Sequence, residues 1–589
     1  MRKAGLVFIV LLLAVVGPTM AQEIPKLPSD PHERTAYADK HYPSARVCGE
    51  CHPQQFAEWS MSSHAYAAVS PMFNKFEQRI NDLARGTINS FCVRCHATVG
   101  TALGERRDTA WWDRAGSAQE GITCVTCHRV GEAYSKSNGA RRITPGDISE
   151  PVFGPFDTTG VLKAISNAQL YKILVSSDQP DRPGYLRIHQ QAIQSTVIQQ
   201  SELCVTCHQV QVHAGIKLET VWEEYRASPA FKEGTTCQDC HMSPVPGQKV
   251  ALIRGPAAVV NGLTVNEDRP ISNHTFVGPG YPISHPGLFP ISLVPSRFTP
   301  QQWLKFDYRA KWGSDEFEAN TGAVSFPPEW QNAADRKEAW GVVVANLAQW
   351  EVRRQLRIQL LEKGSKLDGP FFTSPLKIGQ DFSFDYKLTN LNKGHNLPSG
   401  SLGAQPELWL NVALIDPDGK RIWESGYVDS RGDFADLQSR DVRERKISDV
   451  DPFKGQPLPF DAQLFSMGAK FITANVKGTD REMYLPINLD FDQLPFIRPG
   501  GTPSSVNNHP PNVRMEKHSI PPLATRTAHY KVPASKLTKP GKYRLAIRIR
   551  GRTEPMYFMD FVFATTDMER NENEWVADTH QYAVEFEMH

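Results

Sequence analysis

No long apolar run, no excess of either charge and no cysteine outside one repeated pattern occur in the body of this 589-residue chain. Each absence removes a class of protein. With 65 Lys and Arg against 64 Asp and Glu, no basic surface for nucleic acid or an anionic membrane is expected. After the first 21 residues nothing approaches the roughly 18 continuous apolar residues of a membrane-spanning helix. The opening "MRKAGLVFIVLLLAVVGPTMAQ" carries Arg2 and Lys3, a short apolar run, a Gly-Pro break and a small residue at Ala21. It reads as a secretory signal peptide over residues 1–21. The expected product is an exported protein, periplasmic or at the outer cell surface, with no transmembrane segment after cleavage.

An exported chain with ten cysteines would ordinarily form disulfides, but the spacing argues otherwise. The cysteines fall as Cys48-x-x-Cys51-His52, Cys92-x-x-Cys95-His96, Cys124-x-x-Cys127-His128, Cys204-x-x-Cys207-His208 and Cys237-x-x-Cys240-His241. Cys-x-x-Cys-His is the pattern of covalent c-type haem attachment. Two thiols three residues apart form thioethers to one porphyrin while the next imidazole reaches the iron. Five copies that consume every cysteine exclude zinc sites and redox dithiols. The reading is five c-type haems, with His52, His96, His128, His208 and His241 as proximal iron ligands. So many cofactors act as core, which allows short helices and coil around them, and their propionates make the holoprotein more acidic than its sequence.

A sixth ligand decides whether each iron only passes electrons or also binds a substrate. His64 lies twelve residues after His52, about 18 Å along a helix, so it is expected to serve a haem other than the first. His213, five residues past His208, is expected to lean towards a neighbouring haem. His189, in a stretch that reads as helix, and His274, in "SNHTFVG", are open between ligand and ordinary polar contact. His32, His41, His285, His509 and His518 are weaker candidates.

The expected fold class is α+β and multidomain. A leader (22–46) precedes a mostly helical and coil haem domain (47–360), with motifs over 48–241, wrapping coil over 251–326 and a helix over 329–355 opened by prolines. Beyond it, "FSFDYKLTN", "ELWLNVALIDPDGKRIWESG" and "GKYRLAIRIRGR" alternate apolar and polar residues around a hairpin turn. They predict an immunoglobulin-like β-sandwich over 361–570, closing with "MYFMDFVFATTD" and a polar tail over 571–589.

"VCGECHPQQFAEWSMSSHA" and "GITCVTCHRV" resemble segments of the cytochrome c-554 family. "SELCVTCHQV", "TTCQDCHM", "SNHTFVG" and "TNLNKGHNLPSG" are similar to a wider group of exported multihaem cytochromes related to hydroxylamine oxidoreductase. The resemblance runs from Val47 to about Gly426. It implies that His64, His189, His274 and His395 are distal ligands, the last supplied by the β-domain, while His213 stays open. Ser399 stands where that group usually has threonine. No CxxCK motif and no identifiable haem-crosslinking tyrosine is present, and five haems differ from the four or eight of those relatives.

Two functions fit. One is electron transfer to or from a redox protein partner, a quinol-linked donor or a terminal acceptor. The other is an oxidoreductase that acts on a small nitrogen or sulfur compound, of the hydroxylamine, nitrite or sulfite class, at one open haem.

Overall fold

The computed structural model describes residues 28–83, 89–131, 138–211, 217–282, 284–400, 406–429, 431–435, 460–473, 483–484 and 513–589. The segment read as a signal peptide, His213 and His509 lie outside them. No helix among the described residues is long and apolar enough to cross a membrane.

The N-terminal half is built from short helices joined by coil. Each Cys-x-x-Cys-His motif lies on a single turn or two: Ala45–Gly49 carries Cys48, Val93–His96 follows Cys92, and Cys124–His128, Ser201–Val205 and Cys237–His241 carry the others. Such pieces are too short to be stable alone, and they lean on tertiary contacts. The expected leader contains the helix Pro31–His41, capped by the Asp30 side chain. It buries Ala38 against Val99, Leu103, Ala115 and Ala118, so this segment is part of the fold. Within the expected wrapping coil, Ile253–Gly255 pairs with Arg269–Ile271, and Ala258–Val260 with Leu263–Val265.

One helix, Ala333–Gly364, is the spine of the molecule. It spans about 48 Å at 1.5 Å per residue and runs nine residues past the predicted end at 355, because no Pro or Gly interrupts 356–363. Its buried stripe is Arg336, Ala339, Val343, Asn346, Trp350, Arg353, Arg357, Leu361 and Gly364, spaced three or four apart as one helix face requires. The arginines towards the end of this stripe satisfy loops rather than carboxylates. Arg353 donates to the carbonyl of Met61 and to Ser63. Arg357 donates to the carbonyls of Pro279, Trp575 and Gly551, which ties coil, helix and sheets together.

Ten strands follow: β1 Ser365–Phe372, β2 Phe382–Asn390, β3 Glu407–Ile415, β4 Arg421–Ser425, β5 Ala469–Thr473, β6 Met483–Tyr484, β7 Val513–Lys517, β8 Thr525–Val532, β9 Gly541–Arg552 and β10 Ala577–Met588. Two antiparallel sheets, β1-β2-β8 and β4-β3-β9-β10, share one core. Phe382, Phe384, Tyr386 and Leu388 of β2 alternate inward and meet Leu410, Val412 and Leu414 of β3 and Leu545 and Ile547 of β9. The strands β6-β5-β7 form a third, small sheet. The architecture is α+β, helical first and antiparallel sheet last.

Three local expectations are corrected. "MYFMDF" is the helix Met556–Phe561, followed by Thr566–Glu574. Its Met556, Phe558, Met559 and Val562 pack with Met72 of the haem segment, so tertiary burial overrides strand-like composition. The tail is β10, which completes the four-stranded sheet against β9, and the alternation of "THQYAVEFEM" fits a strand with one wet face. His189 lies in coil between the short strands Leu186–Arg187 and Ala192–Gln194. Each of these two pairs in parallel with an earlier segment, which holds the chain extended where a helix was expected.

Candidate functional site

One cavity of about 1900 Å³ runs through the N-terminal half, lined by all ten cysteines and by every motif histidine. That is about twice the upper size of an ordinary small-molecule pocket, and its walls are mainly apolar. Imidazoles close it in facing pairs. His52 faces His189 with ring centres 6.5 Å apart and planes within 10°. His128 faces His274 at 6.5 Å, His64 faces His208 at 6.4 Å, and His241 faces His395 at 5.9 Å. Two imidazoles on opposite sides of one metal, each bonded at about 2.0 Å, have centres about 6 to 6.5 Å apart. The donor set therefore fits haem: two thiols, a proximal imidazole and a second imidazole at the right span.

The ring orientations are fixed from behind. Nδ1 of His52 donates to the carbonyl of Ala257 (2.9 Å), that of His128 to Phe153 (2.8 Å), that of His274 to Ser272 (2.9 Å) and that of His395 to Asn396 (2.9 Å). A proton held on Nδ1 leaves the Nε2 lone pair free for iron. Burial pulls His64 down to about 3 and His96, His189, His241 and His274 to about 4, so these rings are neutral, as ligands must be. His208 differs. Burial lowers it, but the Glu219 carboxylate at 3.0 Å from Nδ1 outweighs that and lifts it to about 9. The Nε2 proton of this ring is the one that iron displaces on binding, while Nδ1 keeps its own on Glu219.

His64 is held by main chain as well as by its helix. Ile122 N–H donates to its carbonyl at 3.0 Å. Gly121, at φ +64°, leaves room for that carbonyl, since a Cβ there would stand 2.4 Å from it. The His395 loop is clamped onto the haem segment by Glu224, which accepts from Asn396 N–H (3.1 Å), from the Ser399 hydroxyl (2.6 Å) and from Lys517. The bond to Ser399 needs only a hydroxyl at this position.

His96 is the exception among the motif histidines. Phe73 stacks face to face on its ring at 3.7 Å, with planes within 4°, and among the described residues no second imidazole faces it. His285 spends both nitrogens locally, on the carbonyl of Phe306 and on Gly287 N–H, which excludes it as a ligand.

The motifs touch one another. The thiols of Cys48 and Cys124, of Cys95 and Cys207, and of Cys204 and Cys237 are within hydrogen-bonding reach. The Cys204–His208 motif thus borders two others directly. The Arg141 guanidinium lies among Cys95, Cys127, Cys204 and Cys207 and donates to the carbonyls of Thr126 (3.3 Å) and Leu203 (2.6 Å). Glu219, Glu224 and Arg141 belong to no motif, and sequence reasoning missed them. The signal for Glu219 was its position across a short hairpin from the residues after His208.

Residues 47–129 match the family model described as cytochrome c554 and c-prime. No curated protein matches the chain. Among solved structures it is similar to a penta-heme cytochrome c552 from Thermochromatium tepidum, at 14% identity and a TM-score of 0.48, over 92% of this chain and 98% of that one. Three of the Cys-x-x-Cys-His motifs fall inside residues 47–129, so over this span the chain is similar to the cytochrome c554 and c-prime family.

Proposed function

We propose that this protein is an exported pentahaem cytochrome that transfers electrons between redox protein partners, such as a quinol-linked donor and a terminal acceptor. The ten cysteines hold five haems, the five motif histidines are proximal ligands, and His64, His189, His274 and His395 are distal ligands. Haem, when bound, supplies one-electron chemistry at iron. The chain's own contribution is orientation and exclusion of water. Main-chain carbonyls set the imidazole planes, and apolar walls keep solvent from the irons. The haem domain is proposed to run from the helix Pro31–His41 to the end of the long helix at Gly364, and the sheet domain, expected over 361–570, from Ser365 to Met588 because β10 completes it, with His395 joining them in one redox unit.

The observation that carries this reading is the set of four facing imidazole pairs within the cavity shared by all five motifs. A haem count by mass and pyridine haemochrome should give five, and the oxidised spectrum should show at least four low-spin haems. Two or more carbon-monoxide-binding, high-spin haems would overturn it.

His96 has no imidazole facing it among the described residues, its ring contact being Phe73. This favours a second reading, in which the haem of Cys92 and Cys95 acts on a small nitrogen or sulfur compound at an open iron position. Turnover of hydroxylamine, nitrite or sulfite by the purified holoprotein decides it. A protein that binds no carbon monoxide and turns over none of the three excludes it.

A further inference from the structure

We infer that Glu219 lowers the reduction potential of the haem held by Cys204, Cys207 and His208, a haem that stands at a junction of the chain of five. This rests on the proposed reading of His208 as an iron ligand.

Proximal His52 and His128 and distal His274 and His395 give their Nδ1 proton to neutral main-chain carbonyls. His208 gives it to the Glu219 carboxylate. A charged acceptor makes the stronger bond and draws the proton away from the ring, so the imidazole becomes a more basic ligand. A more electron-rich ligand favours the ferric over the ferrous state, which lowers the potential. The negative charge of Glu219 acts in the same direction, because it opposes the gain of an electron nearby.

The contact is built into the backbone. Val210–Gln211 and Lys217–Glu219 are antiparallel strands, and Val210 is in register with Glu219. The pairing therefore returns Glu219 beside the motif it follows. Glu219 is well covered, with 18% of its side chain exposed, so water screens it only partly. Its strand neighbour Lys217 is engaged by Glu223 and does not neutralise it.

The position gives the effect a consequence. The thiols of this motif reach those of Cys95 on one side and Cys237 on another, and Cys127 is also near. Electrons that move between the second, third and fifth haems pass this point. A lowered potential keeps the junction oxidised at rest, so charge resides on the flanking haems and does not collect where the paths meet.

The experiment is a spectroelectrochemical titration of the complete holoprotein and of Glu219→Gln, with spin state read by electron paramagnetic resonance and haem content by mass. The amide side chain of this variant keeps an oxygen for the Nδ1 proton and removes the charge. The expected result is a positive shift that is largest at the haem of His208 and smaller at the haem of Cys95 and His96, which the Glu219 charge also reaches, with every spin state kept. A shorter carboxylate in Glu219→Asp should give a smaller shift, and it serves if the glutamine variant does not mature. Unchanged midpoints in a variant with all haems attached overturn the inference. His208→Ala, in parallel, should cost one low-spin haem; an unchanged spin state there overturns the ligand reading, and this inference with it.

Discussion

The ring of His395, carried by a loop between two strands of the sheet domain, lies nearly parallel to His241 of the last Cys-x-x-Cys-His motif, 5.9 Å away and within 14°. The sheet domain thus reaches into the haem cavity, and the clamp that holds it there is polar. Asn390 donates to the carbonyls of His395 (3.1 Å) and Ile520 (2.9 Å), while Glu224 grips the other side of the loop.

His395→Ala should convert one haem to high spin and leave all five attached. Glu224→Ala should do so partially, because it leaves the half-buried Asn396 N–H and Ser399 hydroxyl without their acceptor and Lys517 with Thr220 alone, at about 2 kcal/mol or more of stability. Ser399→Ala should cost about 1 to 2 kcal/mol with the spin state kept. Magnetic circular dichroism and denaturant titration of the three variants check the order. A spectrum of His395→Ala identical to the parent's would remove His395 from the ligand set.

His64 depends on a glycine in the same way that His395 depends on a glutamate. At φ +64° Gly121 has a conformation that side chains rarely take, and its missing Cβ is what lets the His64 carbonyl approach. Gly121→Ala should cost about 1 to 3 kcal/mol from the backbone alone and push the His64 helix away from His208. The measurement is the low-spin content of the haem facing His64, which should fall while the spectra of the other bis-histidine haems hold.

The haem motifs, the helix and the alternating strands were legible because each is a local pattern. The crossing of the histidines was only half legible. Spacing said that His64 should leave its own motif, but its partner, His208, is set by folding at long range. The strand reading of "MYFMDF" failed because its apolar residues found Met72 and Phe76 to bury against, a contact that no local window contains. Glu219 and Glu224 lie in "KLETVWEEYR", where a run of acids looks like a solvated helix face. Only the hairpin pairing and the arrival of the 391–400 loop give these two carboxylates their work.

A buried carboxylate pair near the cavity gives the fold a pH dependence. Burial raises Glu572 to about 7, against the pull of the N–H groups of Glu554 and Thr553 and of Arg357 and Arg552, and burial beside Glu572 raises Glu554 further. A carboxyl whose folded pKa exceeds its unfolded value binds its proton more tightly when folded, so ionisation destabilises. The penalty from Glu572 begins as pH passes about 4.5, grows to about 3 kcal/mol and levels off above pH 7. The melting temperature should therefore fall between pH 5 and pH 8. In Glu572→Gln, which still accepts the two N–H bonds, that fall should flatten; calorimetry of both proteins across this range is the check.

Arg141 should act on potential with the opposite sign to Glu219. Its guanidinium is buried among Cys95, Cys127, Cys204 and Cys207, anchored on two carbonyls and without a carboxylate among its described hydrogen-bond partners. Once these thiols are thioethers, the cation faces haem edges with little screening, and an uncompensated positive charge favours the state with one more electron. Arg141→Gln keeps donors for the carbonyls of Thr126 and Leu203 and removes the charge. Midpoints of the haems bordering it should move negative, by more than that of the haem of Cys237 and Cys240, which lies farther along the chain. A uniform shift of all five haems, or a positive one, would show that the charge of Arg141 is already compensated when haem is bound.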